Sequence, residues 1–515
     1  MKNKHYLLIL LLLLPVILFR DYTPNNELRY ISIADEALRN GHFFTFTNQG
    51  NIYADKPPLY FWVFMIGKWL LGSHQMWFLS LFSLLPALGI VKIMDKWVSA
   101  EMSVSNRISS GLILMSCGLF LGAALILRMD MLMSFFIVLS LYIFYRMYKD
   151  KSNSKRNAIL FSVCIFMAVF TKGAVGIIVP MFATFFFLLV KRKMRTFCRY
   201  WGWKTWGILL LLCVVWFGCV YAEAGYDYLS NMLFHQTIER AFDSFHHKEP
   251  FYYYFISIWY SLAPWSLLLA GVILTGIFKR VIYSDLEQFF LTIIITTFVM
   301  LSCISSKVEI YMLPAFPFFV YLTGLFLPLL KRNKCFSLFI AIPAICFCLI
   351  APVFVLFVRG NDLSWLRQPL FYIVSFLLSL VGIVSLVLLY IMKNPNRAVN
   401  ILVISLFCAL FAGGWALPSI NNRLGYADLC QKAMEISKSD SLSGYCVLDM
   451  KRPENMDVFL HEDVIKITAE DLFNNHYSNT VLMLPAKRLK NDKILAEFIS
   501  KKKKYRTGNY WIVSL

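Results

Sequence analysis

Charge is what this sequence has least of. Only 16% of its 515 residues are charged, whereas 59% are apolar; a soluble domain carries roughly 25% charged and 45–50% apolar residues. With a mean hydropathy of +0.62 and long uncharged runs recurring along most of the chain, an ordinary soluble fold is excluded and a membrane is the solvent these runs require. Motifs of soluble chemistry are missing as well. There is no P-loop, no GxGxxG after a strand, no HExxH and no GxSxG, so nothing in the chain is built to hold a nucleotide cofactor. The 12 cysteines lie mostly within apolar runs, where a thiol behaves as a small hydrophobe, and no CxxC pair meets a metal-type partner. Cys430 and Cys446, in the polar tail, are the candidate pair for an oxidising compartment. No small-residue cleavage site follows Lys2-Asn3-Lys4 and the run Tyr6 to Phe19, so this segment reads as a first transmembrane helix rather than a signal peptide.

What is present is a surplus of positive charge, +20 net. No basic, aromatic-laced soluble domain exists to bind nucleic acid with it. The positives sit instead in short loops between apolar runs. Runs long enough to span are expected near 6–20, 76–95, 108–126, 131–148, 157–171, 175–190, 205–222, 252–278, 286–304, 312–330, 335–358, 369–392 and 398–417. Thirteen crossings put the termini on opposite sides. Alternate loops then collect the cations: Lys149, Lys151, Lys155 and Arg156; Lys191, Arg192, Lys193, Arg195, Arg199 and Lys204 with no acid among them; Lys279-Arg280; Lys331-Arg332-Lys334; and Lys393 with Arg397. All share the side of the N-terminus, which the positive-inside rule makes cytoplasmic.

The expected organisation is a transmembrane region over 1–420 with a first external loop at 21–75, and a small soluble α/β domain over 421–515 on the external face. Within the loop, Thr23-Pro24-Asn25-Asn26 suggests a helix N-cap, Leu28, Ile31, Ala34 and Leu38 form an apolar stripe, and Gly41 is a stop. That predicts an amphipathic helix over 27–40 lying on the membrane surface. Leu59 to Leu71 is too short to span and reads as an interfacial or re-entrant helix. In the tail, β-like runs at Tyr445–Met450, Thr480–Leu484 and Tyr510–Leu515 alternate with helical patterns at 427–438 and 490–499, while Lys501–Lys504 reads as a solvated face.

Ionisable residues at membrane depth or at span ends are functional candidates, because burying them unpaired is costly. On the external side these are Glu27, Arg29, Asp55, Lys56, Arg128, Asp130, Lys172, His235, Glu239, Arg240, His246, His247, Lys307 and Arg423. Each has a plainer reading. Asp55–Lys56 is also a surface ion pair, Arg128 also a neutraliser of Asp130, Lys172 and Arg423 also span-end anchors, and His235 also a structural histidine. Lys56, stiffened by Pro57-Pro58 at the headgroup boundary, suits a lipid phosphate, to which Arg240 adds a guanidinium fork. Asp55 and His235 are two candidate ligands for a divalent ion, too few to define zinc.

The ordered series Glu27-Leu28-Arg29-Tyr30, Tyr53-Ala54-Asp55-Lys56-Pro57-Pro58, Arg128-Met129-Asp130, Thr171-Lys172-Gly173, His235 with Arg240, Pro264-Trp265, and Ser306-Lys307 through Tyr311-Met312-Leu313-Pro314 covers about the first 330 residues. In it the chain resembles the GT-C superfamily of polyprenyl-phosphate-dependent glycosyltransferases, and within that the lipid A 4-amino-4-deoxy-L-arabinose transferase and protein O-mannosyltransferase group. The resemblance implies an all-α polytopic fold with surface helices in the first external loop, and a bacterial inner-membrane location with the C-terminal domain periplasmic. It implies carrier-phosphate contacts from Lys56, Arg240 and Tyr311, with Tyr53 and Arg29 lining the same cavity. Asp55 and His235 match positions that hold a metal ion in relatives, and Asp130 an acid of the active-site cavity; Tyr30, Arg128, Lys172 and Lys307 are further cavity candidates. Where the family has two acids opening the first loop helix, this chain has Asn26-Glu27. A hydroxyl acceptor then calls for Glu27 or Asp130 as general base, and a phosphate acceptor tolerates Asn26. The expected partners are a polyprenyl-phosphate sugar, a lipid or glycan acceptor and membrane lipids, with no nucleic acid, around a monomeric enzyme. The rivals are a protein O-glycosyltransferase of the same fold, and a lipid-linked sugar transporter or flippase. A transporter requires charges mid-span and a repeat, whereas the charges cluster on one face.

Overall fold

The structure, a computed structural model, describes residues 3–150, 155–233, 248–330, 334–474 and 477–515. It is mostly helical, and among the described residues eight helices are long and apolar enough to cross a membrane, or up to ten if each of two bent pairs is one span. The bent pairs are Val104–Ser116 with Gly118–Leu125, at 69°, and Tyr253–Ser261 with Ser266–Phe278, at 120°. The second bend corrects the expectation of one straight span over 252–278. Pro264 lies in the break, where it has no N–H to continue a helical ladder. The helices Lys4–Phe19, Leu59–Leu71 and Val175–Val190 are apolar but shorter than a full crossing.

The chain divides into two compact units, Met1–Leu14 with Ala54–Tyr60 and Ser80–Ala412, and Pro15–Tyr53 with Phe61–Leu79 and Gly413–Leu515.

In the first unit the side chains that fill the helix interfaces are aromatic. Trp97 packs edge-on against Phe290 and Phe318 at centroid separations of 5.1 and 5.9 Å. The two breaks support one another: buried Trp265 donates its indole N–H to Ser116 Oγ at 2.8 Å, and Gly118 N–H bonds the Ala263 carbonyl at 2.8 Å. The helix Lys155–Lys172 packs along Met129–Asp150 and ends at Gly173, whose φ of +102° turns the chain back. Gly176 then lets the helix Val175–Val190 approach closely, since a Cβ there would sit 2.5 Å from the Ala168 backbone.

The second unit holds the helix Glu27–Asn40, a short hairpin of β1 (Thr47–Asn48) with β2 (Asn51–Ile52), and a five-stranded sheet. The sheet comprises β3 (Tyr445–Val447), β4 (Val464–Lys466), β5 (Val481–Pro485), β6 (Lys504–Thr507) and β7 (Tyr510–Ser514) in the order β4-β3-β5-β7-β6. β3 runs parallel to both neighbours, and β7 antiparallel to both of its own. Leu482, Leu484 and Val513 bury beneath Leu495 and Ile499 of the helix Lys493–Ser500, whose start is capped by Asp492. Cys430 and Cys446, the candidate pair, are both buried free thiols.

Glu27–Asn40 has the expected bounds, ends at Gly41 in the left-handed region and is covered by protein. Every residue from Glu27 to Ala37 is buried except half-buried Arg29. Its polar face is inside because its charges are answered there. Glu36 accepts from the Thr47 hydroxyl and from the Gln49 and Gly50 amides, which fixes the hairpin turn, and Asp35 accepts from Lys68 and His74.

Candidate active site

The first unit gathers the cations. Asp130 opens the helix Met129–Asp150, Arg128 stands in the turn before it, and Lys172 closes the next helix, so two adjacent helix ends put three charges together. The Lys172 ammonium contacts Asp130 Oδ1 directly, and Arg128 Nε lies 3.3 Å from Oδ2. Asp130 and Lys172 are nearly solvent-free, with 2% and 8% of their side chains exposed. Such a carboxylate, held at both oxygens, fixes its cations rather than accepting a proton.

Two further segments reach this group. Pro57 and Pro58 hold the chain non-helical ahead of Leu59, and there Lys56 pairs with Asp55 at 3.1 Å, close enough for Lys56 to act on Asp130 and Asp55 on Lys172. Tyr311, in the 3-10 helix Glu309–Ala315, presents its ring to Lys172 Nζ at 4.6 Å. Lys307 is committed elsewhere: 4% exposed, it donates to the Glu249 carbonyl at 2.8 Å beside the Lys248–Ser306 bridge, and so anchors the strand-like lead into that 3-10 helix. The sequence reading passed over Glu309. Its carboxylate accepts from the Tyr260 hydroxyl at 2.9 Å and lies within the field of Arg128. The available signal was an isolated acid between Lys307 and Tyr311 at the mouth of an apolar run.

The second unit holds the other candidates. Glu27, with no exposed surface, is gripped by Arg20 through two N–H···O bonds of 2.6 Å and accepts from the Thr23 amide at 2.7 Å. Asn26 occupies the N-cap position without capping; its side chain instead accepts from Arg29 at 3.2 Å. The Arg29 guanidinium stands 5.7 Å from the Tyr53 ring centre and 5.8 Å from that of Tyr30. His235 and Arg240, with Glu239, His246 and His247, lie outside the described residues. The described partner of the expected metal pair, Asp55, is engaged by Lys56, and among the described residues no three His, Cys, Asp or Glu side chains are placed to share an ion. His235, the other expected ligand, lies outside the described residues.

No family model matches the chain. It is 26% identical over 345 residues to an uncharacterized protein of Aquifex aeolicus, covering 64% of this chain and 66% of that one. It is 25% identical over 307 residues to the undecaprenyl phosphate-alpha-4-amino-4-deoxy-L-arabinose arabinosyl transferase of Edwardsiella ictaluri, covering 58% and 54%, and 25% identical over 343 residues to that of Aeromonas salmonicida, covering 65% and 62%. The matches span between about half and two thirds of these relatives' lengths. The crystal structure of ArnT from Cupriavidus metallidurans bound to undecaprenyl phosphate superimposes with a TM-score of 0.76 over 99% of this chain and 97% of that one, at 18% identity. The chain has the ArnT fold. The apo form of the same ArnT gives a TM-score of 0.75. The resemblance read from the residues, to GT-C glycosyltransferases, therefore stands in both sequence and fold.

Proposed function

We propose that this chain is a bacterial inner-membrane glycosyltransferase that moves a sugar from a polyprenyl phosphate to an acceptor on the periplasmic face. The observation that carries the reading is the group Lys56, Arg128, Lys172 and Tyr311, assembled around Asp130 in a fold shared with ArnT. The acceptor oxygen displaces the polyprenyl phosphate at the anomeric carbon. Lys56 and Arg128 stabilise the charge that grows on the departing phosphate, and Asp130 keeps Lys172 and Arg128 in place. Arg240, outside the described residues, joins the same role by family resemblance. Thirteen crossings, a cytoplasmic N-terminus and a periplasmic C-terminal region complete the reading, supported by the alternation of the basic loops.

The state of the carboxylates favours one acceptor class. Glu27 is locked by Arg20 and Asp130 by two cations, so neither is poised to take a proton. An acceptor that is already anionic, such as a phosphate on lipid A or another envelope glycolipid, needs no base. The test is transfer from a purified undecaprenyl-phosphate sugar by the full chain in detergent, with a phosphorylated glycolipid, its dephosphorylated form and a serine/threonine peptide compared as acceptors. Product only with the phosphorylated lipid is expected; product only with the peptide would establish protein O-glycosylation instead.

A further inference from the structure

The reaction proposed above leaves unused a cavity in the first unit, between the starts of the helices Lys155–Lys172 and Trp203–Ser230. It encloses about 660 Å³ and has two distinct kinds of lining. Lys155, Arg199 and Lys204, all exposed, supply three cations, while Ile159, Ile208 and Leu211 form an apolar wall. Across 191–204 the sequence has six basic residues and no acid. Among them, Lys191 pairs with Asp285, and Lys193 donates to the Tyr148 hydroxyl.

The apolar wall continues along a helix that faces outward. Leu210, Leu211 and Val214 are 66%, 63% and 58% exposed on Trp203–Ser230, so this flank is a lipid contact in a membrane. Trp203, 81% exposed, sits beside Lys204, whose ammonium is 5.6 Å from the ring centre. An aromatic side chain next to a cation at a span end is the pairing that settles at headgroup level. A soluble anion would satisfy the cations and leave the wall unused. A zwitterionic lipid would use the wall and bring its own positive charge against the three cations. Both linings are met only by an amphiphile with an anionic head.

We propose that this cavity binds an anionic phospholipid of the cytoplasmic leaflet, its phosphate among Lys155, Arg199 and Lys204 and an acyl chain along Ile208 and Leu211. The leaflet follows from the basic loops; the site does not depend on what the enzyme transfers.

The experiment is native mass spectrometry of the full chain released from detergent, titrated with dioleoyl phosphatidylglycerol, dioleoyl phosphatidylethanolamine or glycerol 3-phosphate. Phosphatidylglycerol should bind saturably and at least about tenfold more tightly than phosphatidylethanolamine, as a polybasic site at a membrane surface does. The K155Q/R199Q/K204Q variant should lose that preference, whereas K279Q/R280Q, in another basic loop, should keep it. R199Q and K204Q singly, each weakening binding by a few-fold, provide the reading if the triple variant fails to fold. Equal binding of the two lipids, phosphatidylglycerol binding undiminished in all the cavity variants, or glycerol 3-phosphate binding as tightly as the lipid would each overturn the proposal.

Discussion

Both units bury carboxylates against arginine or lysine, yet they use them differently. In the first, Asp130 faces two cations that come from a turn and a helix end, beside the ring of Tyr311. In the second, Glu27 is gripped by Arg20 and accepts from the Thr23 amide just ahead of its own helix. In the first arrangement one acid is shared between two cations that come from different elements, so each cation keeps bonding capacity for a phosphate. The second is a bidentate ion pair local to the start of one helix, as a structural clasp is. A buried acid is therefore informative through what its partners have left over, and the two units can be separated by breaking each pair in turn.

The largest effect is expected at Asp130. Asp130→Asn leaves Lys172 and Arg128 without their counter-charge and should cost about 3–5 kcal/mol of stability. Thermal unfolding in detergent measures this, and Asp130→Asn combined with Lys172→Gln should recover part of the loss. If Asp130→Asn unfolds like wild type, the ion group is not as coupled as its geometry indicates.

Glu27→Gln should cost about 2–3 kcal/mol, since it strips the charge from a doubly bonded pair, while transfer per folded molecule stays within a few-fold. A rate loss of about 10²–10⁴-fold with donor binding intact would instead mark Glu27 as a general base and point to a hydroxyl acceptor.

A pH effect separates the units further. Burial pushes Asp457 up to about 6 against the Ser32 hydroxyl and Arg39, and burial likewise raises Asp21 to about 6 against the amides of Ala427 and Tyr22. Burial also acts on Asp35, but His74 and Lys68 outweigh it and hold that carboxyl below its usual value. A folded-state pKa above the unfolded one means the folded form binds the extra proton. This contribution is whole below about pH 4 and is lost as pH rises to about 6. Asp35 has the opposite sign and acts only below its ordinary range. Asp457→Asn should accordingly stabilise the protein at pH 7 by on the order of 1–2 kcal/mol and flatten the fall between pH 4 and 6. An unchanged melting profile across that window would remove Asp457 as its source. The smallest change should come from Arg29→Lys, which keeps the charge but weakens the contacts with Tyr30 and Tyr53 by about 0.5–1 kcal/mol.

Much of this was legible in the sequence where it depends on runs of residues, and little where it depends on contacts far apart. Apolar runs marked the helices, because backbone groups in lipid have few ways to be satisfied. β3, β5 and β7 were read from short apolar β-like runs, whereas β4 and β6 were missed. They are short edge strands with mostly exposed side chains and carry no such pattern. The helix over 27–40 was read from its apolar stripe and its stop at Gly41; the partners of Asp35 and Glu36 lie at Lys68, His74 and the 47–50 turn, which no local pattern reveals. Arg128 was read as a neutraliser of Asp130, but that Lys172 joins them follows only from the packing of two helices. Arg423, read both as an external candidate and as a span-end anchor, donates to Asn509 at 3.0 Å.

The central claim rests on Lys56. Purified full-length protein should transfer sugar from an undecaprenyl-phosphate donor, and Lys56→Ala should reduce that rate about 10²–10³-fold, as loss of one donor to a developing oxyanion does, with the melting temperature unchanged. Lys56→Gln should do no better, because what is lost is charge. Near wild-type transfer by Lys56→Ala would contradict the account.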